Sequence, residues 1–128
     1  ARDLQRNTAH MQRLRDRLHK GLAVELTDVR LNGHSVKRLP NTLSLSFKGV
    51  EANRILEEIG LKVAASAGAA CHSDTVEISH VLESMNVPLE WAKGTLRFSV
   101  GRMTTAEEID KAIEFVTRAV KKLRIEKP

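Results

Sequence analysis

The sequence predicts a two-layer α/β domain in which long terminal helices lie on one side of a small sheet. Both ends of the chain carry apolar residues at helical spacing, whereas two central segments alternate apolar and polar residues. The elements follow in the order helix, strand, helix, strand, helix, strand, helix, which is typical of a sheet covered by helices. At 128 residues the chain has the size of one domain, 1–128.

The first helix is predicted over residues 3–22 and is expected to end near Gly21. Its apolar face is formed by Leu4, Met11, Leu14, Leu18 and Leu22. No capping residue precedes this pattern, and Ala1 is not an initiator methionine. We therefore expect the chain to be a fragment of a longer protein.

A strand is predicted over residues 42–47, where Leu43, Leu45 and Phe47 alternate with Thr42, Ser44 and Ser46. A loop through Asn32 and Gly33 precedes it, and a short helix over 52–59, closed by Gly60 in a left-handed conformation, follows it. The next segments are a brief strand over 63–65, a loop of small residues over 66–73, and a short helix from Pro88 to about Lys93. Between the loop over 66–73 and the short helix from Pro88, helical spacing is shown by Ile78, Val81, Leu82 and Met85.

The third strand and the last helix have the clearest patterns. Leu96, Phe98 and Val100 alternate with Thr95, Arg97 and Ser99, which places Arg97 on the face opposite the apolar one. Thr105 and Glu108 have the spacing of a capping box. The apolar stripe of the helix that follows consists of Ile109, Ala112, Ile113, Val116, Ala119, Val120 and Leu123.

Charge and composition exclude several classes of protein. The formal charge of +5 divides into +4 over residues 1–20, −3 over 21–117 and +4 over 118–128, so the middle of the chain is slightly acidic. With one Trp, three Phe and no Tyr there is little on which bases could stack, which argues against nucleic-acid binding. No apolar run approaches the roughly 20 residues of a membrane span. A lone cysteine and no visible secretory signal favour a reducing compartment, the cytoplasm.

Cys71 is the first candidate for chemistry. It lies within SAGAACHS (66–73), among side chains too small to pack a core, which is typical of a loop that presents a nucleophile. The alternative is a buried, inert thiol. A thiol with a pKa near 8.5 needs a proton partner or a nearby cation, and His72 is the adjacent candidate. The alternative for His72 is a solvated loop histidine.

Arg97 is the second candidate, because a guanidinium in the middle of a polar strand face suits a carboxylate. The alternative is an exposed strand arginine without a ligand. Arg102 is best explained as a loop arginine that bonds nearby carbonyls. Metal binding is not indicated, since no paired zinc spacing is formed by His10, His19, His34, Cys71, His72 and His80.

The chain resembles the C-terminal small domain of the class V aminotransferase-like, pyridoxal-phosphate-dependent cysteine desulfurases and selenocysteine lyases. The resemblance runs from about Arg13 to Leu123 through the blocks RLPNTLSLSF (38–47), SAGAACHS (66–73) and LRFSVGRMTTAEEID (96–110). It implies the small domain of a fold-type I transferase. The stretch from Ala69 to His72 is closer to selenocysteine lyases than to typical desulfurases.

The resemblance also implies an activity. An arginine at the position of Arg97 holds the carboxylate of L-cysteine or L-selenocysteine, and the thiol at the position of Cys71 attacks the sulfur or selenium. L-alanine is released, and the persulfide or selenopersulfide on Cys71 is passed to an acceptor protein. Asn41 matches a turn whose role is structural. A homodimer is expected for the full-length enzyme.

One departure from the family pattern concerns the cofactor. The lysine, the aspartate and the phosphate-binding residues that hold pyridoxal phosphate belong to the large domain, and Lys93 lacks their setting. We therefore expect the chain alone to be inactive. Two other interpretations stay open: a stand-alone sulfur-carrier or protein-interaction module, and nucleic-acid binding through the basic ends. A natural transcript encoding about 250 further residues upstream would favour the enzyme.

Overall fold

The computed structural model describes residues 2–32, 41–60, 63, 65–67, 69–72, 75–78 and 87–126. In chain order the elements are α1 (Arg2–Glu25), β1 (Val29–Leu31), β2 (Thr42–Phe47), α2 (Ala52–Ile59), β3 (Ala65–Ala67), β4 (Ala69–His72), β5 (Thr75–Ile78), α3 (Leu89–Ala92), β6 (Thr95–Ser99) and α4 (Ala106–Glu126). No described helix is both long enough and apolar enough to cross a bilayer.

The main sheet has four antiparallel strands in the order β1-β2-β6-β3. Strands β4 and β5 form a separate antiparallel hairpin. Helices α1, α2 and α4 pack together against the main sheet. The predicted α/β domain with a helical layer on a small sheet is thus confirmed, with more strands than the sequence pattern indicates.

The core lies between this sheet and the helical layer. On β2 and β6 the residues Leu45 and Leu96 are fully buried, and from the helices Ile55 and Val116 meet them with no exposed surface. Burying each such side chain contributes about 1.5–3 kcal/mol. The alternation in the two central strands therefore specifies which face of the sheet turns toward the helices.

Helices α1 and α4 lie side by side, with contacts in the same order along both. His10 Nε2 lies 2.8 Å from the Thr104 carbonyl oxygen, and the Arg17 guanidinium donates two bonds of 2.8 Å to the Asp110 carboxylate. The hydrogen bond from Arg17 lowers the pKa of Asp110 below its ordinary value.

The predicted end of α1 near Gly21 is wrong, since α1 continues to Glu25. The glycine is needed for close helix packing, because a Cβ there would collide with the Ile113 side chain.

Three other sequence predictions differ from the structure. β1 forms where a loop was expected, and the strand predicted over 63–65 lies at Ala65–Ala67. Ile78 ends strand β5 instead of beginning a helix. Strands of three or four residues carry little periodicity, so their partners decide their conformation. The other members of that predicted helix, from Val81 to Met85, lie outside the described residues.

The predicted helix ends are present. Thr105 Oγ1 accepts the Glu108 N–H at 3.2 Å, and Glu108 Oε1 accepts the Thr105 N–H at 3.3 Å, which completes the capping box. Gly60 ends α2 as predicted, but with φ of 60° and ψ of −142° it does not have the predicted left-handed helical conformation; its positive φ still favours glycine.

Arg124 ties the end of α4 to two turns. Its guanidinium donates to the carbonyl oxygens of Thr27 at 2.8 Å, Asp28 at 3.2 Å and Lys48 at 3.1 Å. Partial burial lowers the pKa of Arg124 relative to its ordinary value. The last helix therefore fixes the turns at the ends of α1 and β2, beside the main sheet.

Candidate functional site

The face of the sheet opposite the helices carries polar side chains arranged in rows across the strands. Ser44 on β2 and Ser66 on β3 are the direct register partners of Arg97 on β6. The Asn32 N–H donates to the Ser44 carbonyl oxygen at 3.0 Å, which extends the row to the residue that follows β1. We call the row Asn32, Ser44, Arg97 and Ser66 the arginine row.

Arg97 is exposed, whereas its neighbours Leu96 and Phe98 are buried on the other face. The predicted face of this residue is therefore confirmed. Within the described part of the chain, no carboxylate or carbonyl accepts a bond from its guanidinium. A guanidinium with five donors and no partner is suited to binding a planar anion such as a carboxylate.

Cys71 and His72 lie on β4, so the predicted loop around the cysteine is wrong. In the backbone register Cys71 faces Val76 and His72 faces Thr75, next to the turn of the hairpin. Pairing with β5 overrides the weak strand preference of the small residues. The side chains of both residues lie outside the described residues, so the accessibility of the thiol and its pairing with His72 stay predictions.

The chain connects the hairpin directly to the arginine row. Ser66, the partner of Arg97, precedes Cys71 by five residues in the sequence. Five extended residues span at most about 18 Å. The Cys71 backbone therefore lies within that distance of Ser66, which is on the edge strand β3 next to Arg97.

A buried chain of hydrogen bonds runs beside the arginine row. Asn32 Nδ2 donates to Ser46 Oγ at 2.8 Å, Ser46 Oγ lies 2.6 Å from Thr95 Oγ1, and Thr95 Oγ1 donates to the Trp91 carbonyl oxygen at 3.4 Å. Both hydroxyl residues are buried, because α3 covers this end of the polar face. Alternation alone places Ser46 and Thr95 on a polar face and gives no signal that another element covers them.

The turn around α3 is fastened to the segment between β2 and α2. Lys93 lies at the C-terminal end of α3, and its carbonyl has a structural role. Lys48 Nζ lies over the Trp91 ring, 5.9 Å from the ring centroid. The backbone bonds are Phe47 N–H to Gly94 O at 2.9 Å, Gly49 N–H to Glu90 O at 3.2 Å and Ala52 N–H to Lys93 O at 2.9 Å.

The remaining sequence candidates have no ligand-binding arrangement in the described residues. Asn41 accepts the Val100 N–H at 2.9 Å through its carbonyl, which agrees with a structural role at the edge of β2. Arg102 is exposed in the turn before α4. Among the residues that the structure describes, no three His, Cys, Asp or Glu side chains gather as a metal site would require.

The fold and the polar face define a small α+β domain whose exposed Arg97, without a partner among the described residues, is in register with the strand that leads to a lone cysteine. The chain belongs to the aminotransferase class-V family, whose model matches residues 1–112. Relatives include cysteine desulfurase IscS of Methanosarcina thermophila, 39% identical over 95% of this chain and 30% of that protein. Cysteine desulfurase 2 of Trichormus variabilis is 40% identical over 90% of this chain and 29% of that protein.

Solved structures agree with this assignment. A NifS-like protein from Rickettsia africae has a TM-score of 0.75 and 27% identity over 91% of this chain and 29% of that chain. A second NifS-like protein has a TM-score of 0.74 and 26% identity over 95% of this chain and 30% of that chain. The chain thus spans about three tenths of the length of the curated relatives it matches.

The family depends on pyridoxal phosphate in general, but the described residues do not fit a pocket for it. No described lysine lies in the rows of the polar face beside Arg97. Lys48 is held near Glu90 and Trp91, and Lys122 bonds Glu58 on the helical side. Among the described residues, the polar face thus carries an exposed guanidinium and no lysine beside it.

Proposed function

We propose that this chain is the small domain of a cysteine desulfurase that removes sulfur from L-cysteine and leaves L-alanine. The observation that carries the proposal is the exposed Arg97, which has no partner in the part of the chain that the structure describes and is in register with Ser66, from which the chain leads into the Cys71 hairpin. Membership of the aminotransferase class-V family supports it. Pyridoxal phosphate is then held by residues outside this chain.

In this proposal Arg97 binds the substrate carboxylate. The position on the polar face leaves the guanidinium fork directed away from the core, where a planar carboxylate forms two parallel charge-assisted bonds. Ser44 and Ser66 flank the arginine on both sides and add hydroxyl groups to the same surface. The sheet thus orients the substrate by holding its carboxylate end.

Cys71 takes the sulfur. Its thiolate forms an S–S bond with the substrate sulfur while the substrate C–S bond breaks, and carbon keeps the electron pair and gains one proton to give alanine. The enzyme is left with a persulfide on Cys71, which an acceptor protein then removes. His72, next in the hairpin, is proposed to take the thiol proton.

The relatives support sulfur as the preferred chalcogen. The two cited proteins carry the name cysteine desulfurase, which favours sulfur over selenium as the substrate atom. L-selenocysteine is proposed as a second substrate on the basis of the stretch Ala69 to His72. The full-length enzyme is proposed to be a homodimer in the cytoplasm, where a lone cysteine stays reduced.

The test of the function is the mass of the peptide containing Cys71 after the full-length enzyme has been incubated with L-cysteine. We expect an increase by one sulfur atom that dithiothreitol reverses, together with one alanine for each persulfide formed. An unmodified peptide despite alanine production would remove Cys71 from the mechanism. A peptide that gains sulfur only when a separate desulfurase is added would instead support the stand-alone sulfur-carrier module.

The chain alone is expected not to retain pyridoxal phosphate. No lysine in the described part of the sheet face accompanies Arg97, so the cofactor has no amine to which it can be linked there. After incubation and gel filtration, the visible spectrum should show no bound cofactor, and borohydride reduction should attach none to a lysine. A stoichiometric reduced adduct would contradict this expectation.

Replacing Arg97 with alanine in the full-length enzyme is expected to weaken substrate binding. Loss of charge-assisted hydrogen bonds costs about 1.5–3 kcal/mol, which raises the KM for L-cysteine by about 10- to 150-fold. Arg97→Lys keeps the charge but loses the guanidinium fork, so its KM should lie between those of the wild type and Arg97→Ala. Arg30→Ala, on the same face, is the control. An unchanged KM in Arg97→Ala would exclude the carboxylate role.

A further inference from the structure

The hydrogen-bond chain beside the arginine row has one direction. Its last member, the Trp91 carbonyl, has no proton, so Thr95 must donate to it. Ser46 must then donate to Thr95, and the amide of Asn32 must donate to Ser46 through Nδ2. In this direction the Asn32 amide points Nδ2 toward Ser46.

This orientation leaves an acceptor without a donor. Asn32 is 6% exposed, and within the described residues its Oδ1 is buried with no hydrogen-bond partner. A buried acceptor left unsatisfied costs about 1–3 kcal/mol. The oxygen thus forms a buried site for an N–H donor at the end of the arginine row.

Arg97 is the donor that shares this row. Asn32 and Arg97 are separated by β2, so their Cα atoms are two strand spacings apart, about 10 Å. The residue between them is Ser44, whose Oγ lies 3.4 Å from Asn32 Nδ2. A long arginine side chain reaches over one serine, and the exposed Arg97 has no other partner in the described part of the chain.

We propose that Asn32 is a positioning residue for Arg97, and that its Oδ1 accepts one N–H of the Arg97 guanidinium across Ser44. Forming the bond requires the Arg97 side chain to rotate toward β2 and its guanidinium to take the place of the atoms that cover Oδ1. Because guanidinium has five donors, one bond to Asn32 leaves a fork free for a carboxylate. A neutral amide holds the arginine without competing as an ion-pair partner, which a carboxylate at this position would do.

The hydrogen bond is tested on the chain itself by NMR of the arginine side chains. The Arg97 signal is assigned by its loss in Arg97→Lys. In Asn32→Leu we expect exchange of the Arg97 guanidinium protons with water to accelerate by about 2- to 12-fold, the range for one hydrogen bond. In Asn32→Asp, which keeps the size and an acceptor, the exchange should become slower than in the wild type.

Arg30 provides the matched control, since it is the arginine on the same face two residues from Asn32. Arg30→Met should leave the Arg97 signal unchanged. The proposal is overturned if Asn32→Asp does not slow Arg97 exchange, or if Asn32 variants change the Arg30 signal in place of the Arg97 signal. Should Asn32→Leu fail to fold, Asn32→Asp alone decides.

The consequence for substrate rests on the proposed function. In the full-length enzyme both Asn32 variants should raise the KM for L-cysteine by about 2- to 12-fold with kcat unchanged. Asn32→Leu removes the acceptor that positions Arg97, whereas Asn32→Asp holds Arg97 in an ion pair that competes with the substrate carboxylate. A purely structural role would lower the amount of active enzyme and leave KM unchanged. The NMR result does not depend on turnover, so failure of the desulfurase assignment and failure of this proposal are distinguishable.

Discussion

Replacing Cys71 with serine is expected to abolish sulfur transfer from L-cysteine in the full-length enzyme. A serine hydroxyl is a far weaker nucleophile at neutral pH than a thiol, and it cannot form the S–S bond of a persulfide. The loss should therefore be complete and not only a change in KM. The measurement is alanine and sulfide production in the presence of dithiothreitol, with the mass of the Cys71 peptide recorded in parallel.

The control for this variant comes from the same hairpin. Ala70→Ser adds a hydroxyl at the neighbouring register position, opposite Glu77, and leaves the thiol in place. It should keep sulfur transfer, so that a loss in Cys71→Ser is assigned to the missing sulfur and not to a disturbed β4. Equal activity in Cys71→Ser and the wild type would show that the sulfur is removed by another group.

The sequence pattern predicts best those elements that have long periodic stretches. α4, β2 and β6 each present an apolar face to the core, and their periodicity follows from that burial. β1 is three residues long, and half of the four residues of β4 are alanine, so neither leaves a pattern. Their conformation is decided by pairing with distant residues.

In the candidate site, too, local pattern predicts some features and long-range pairing decides the others. Alternation in β6 is sufficient to place Arg97 on the polar face. The pairing of Arg97 with Ser66 is a long-range register, which local pattern does not specify. The buried state of Ser46 was also not predictable, because it depends on where α3 packs. Tertiary packing, and not local preference, builds the arginine row and the hydrogen-bond chain beside it.

Replacing Gly94 with alanine is expected to be the most destabilising single methyl addition in the described sheet region. An added Cβ would lie 2.5 Å from the Val50 carbonyl oxygen and closer still to that of Phe47. Both obstacles are backbone atoms, and the Phe47 N–H is itself bonded to the Gly94 carbonyl at 2.9 Å. The overlap is relieved only if the two segments separate, which breaks that bond.

We expect a loss of about 3 kcal/mol or more in the free energy of unfolding, measured by urea denaturation of the chain. Gly101→Ala is the matched control, because its Cβ would meet Thr104 Oγ1 at an ordinary 3.8 Å. That variant should stay within about 0.5 kcal/mol of the wild type. Since Gly94 leads directly into β6, its variant should also disturb Thr95 and the hydrogen-bond chain to Asn32. Equal urea midpoints for the two variants would show that the close approach of β2 and the α3 turn contributes nothing to stability.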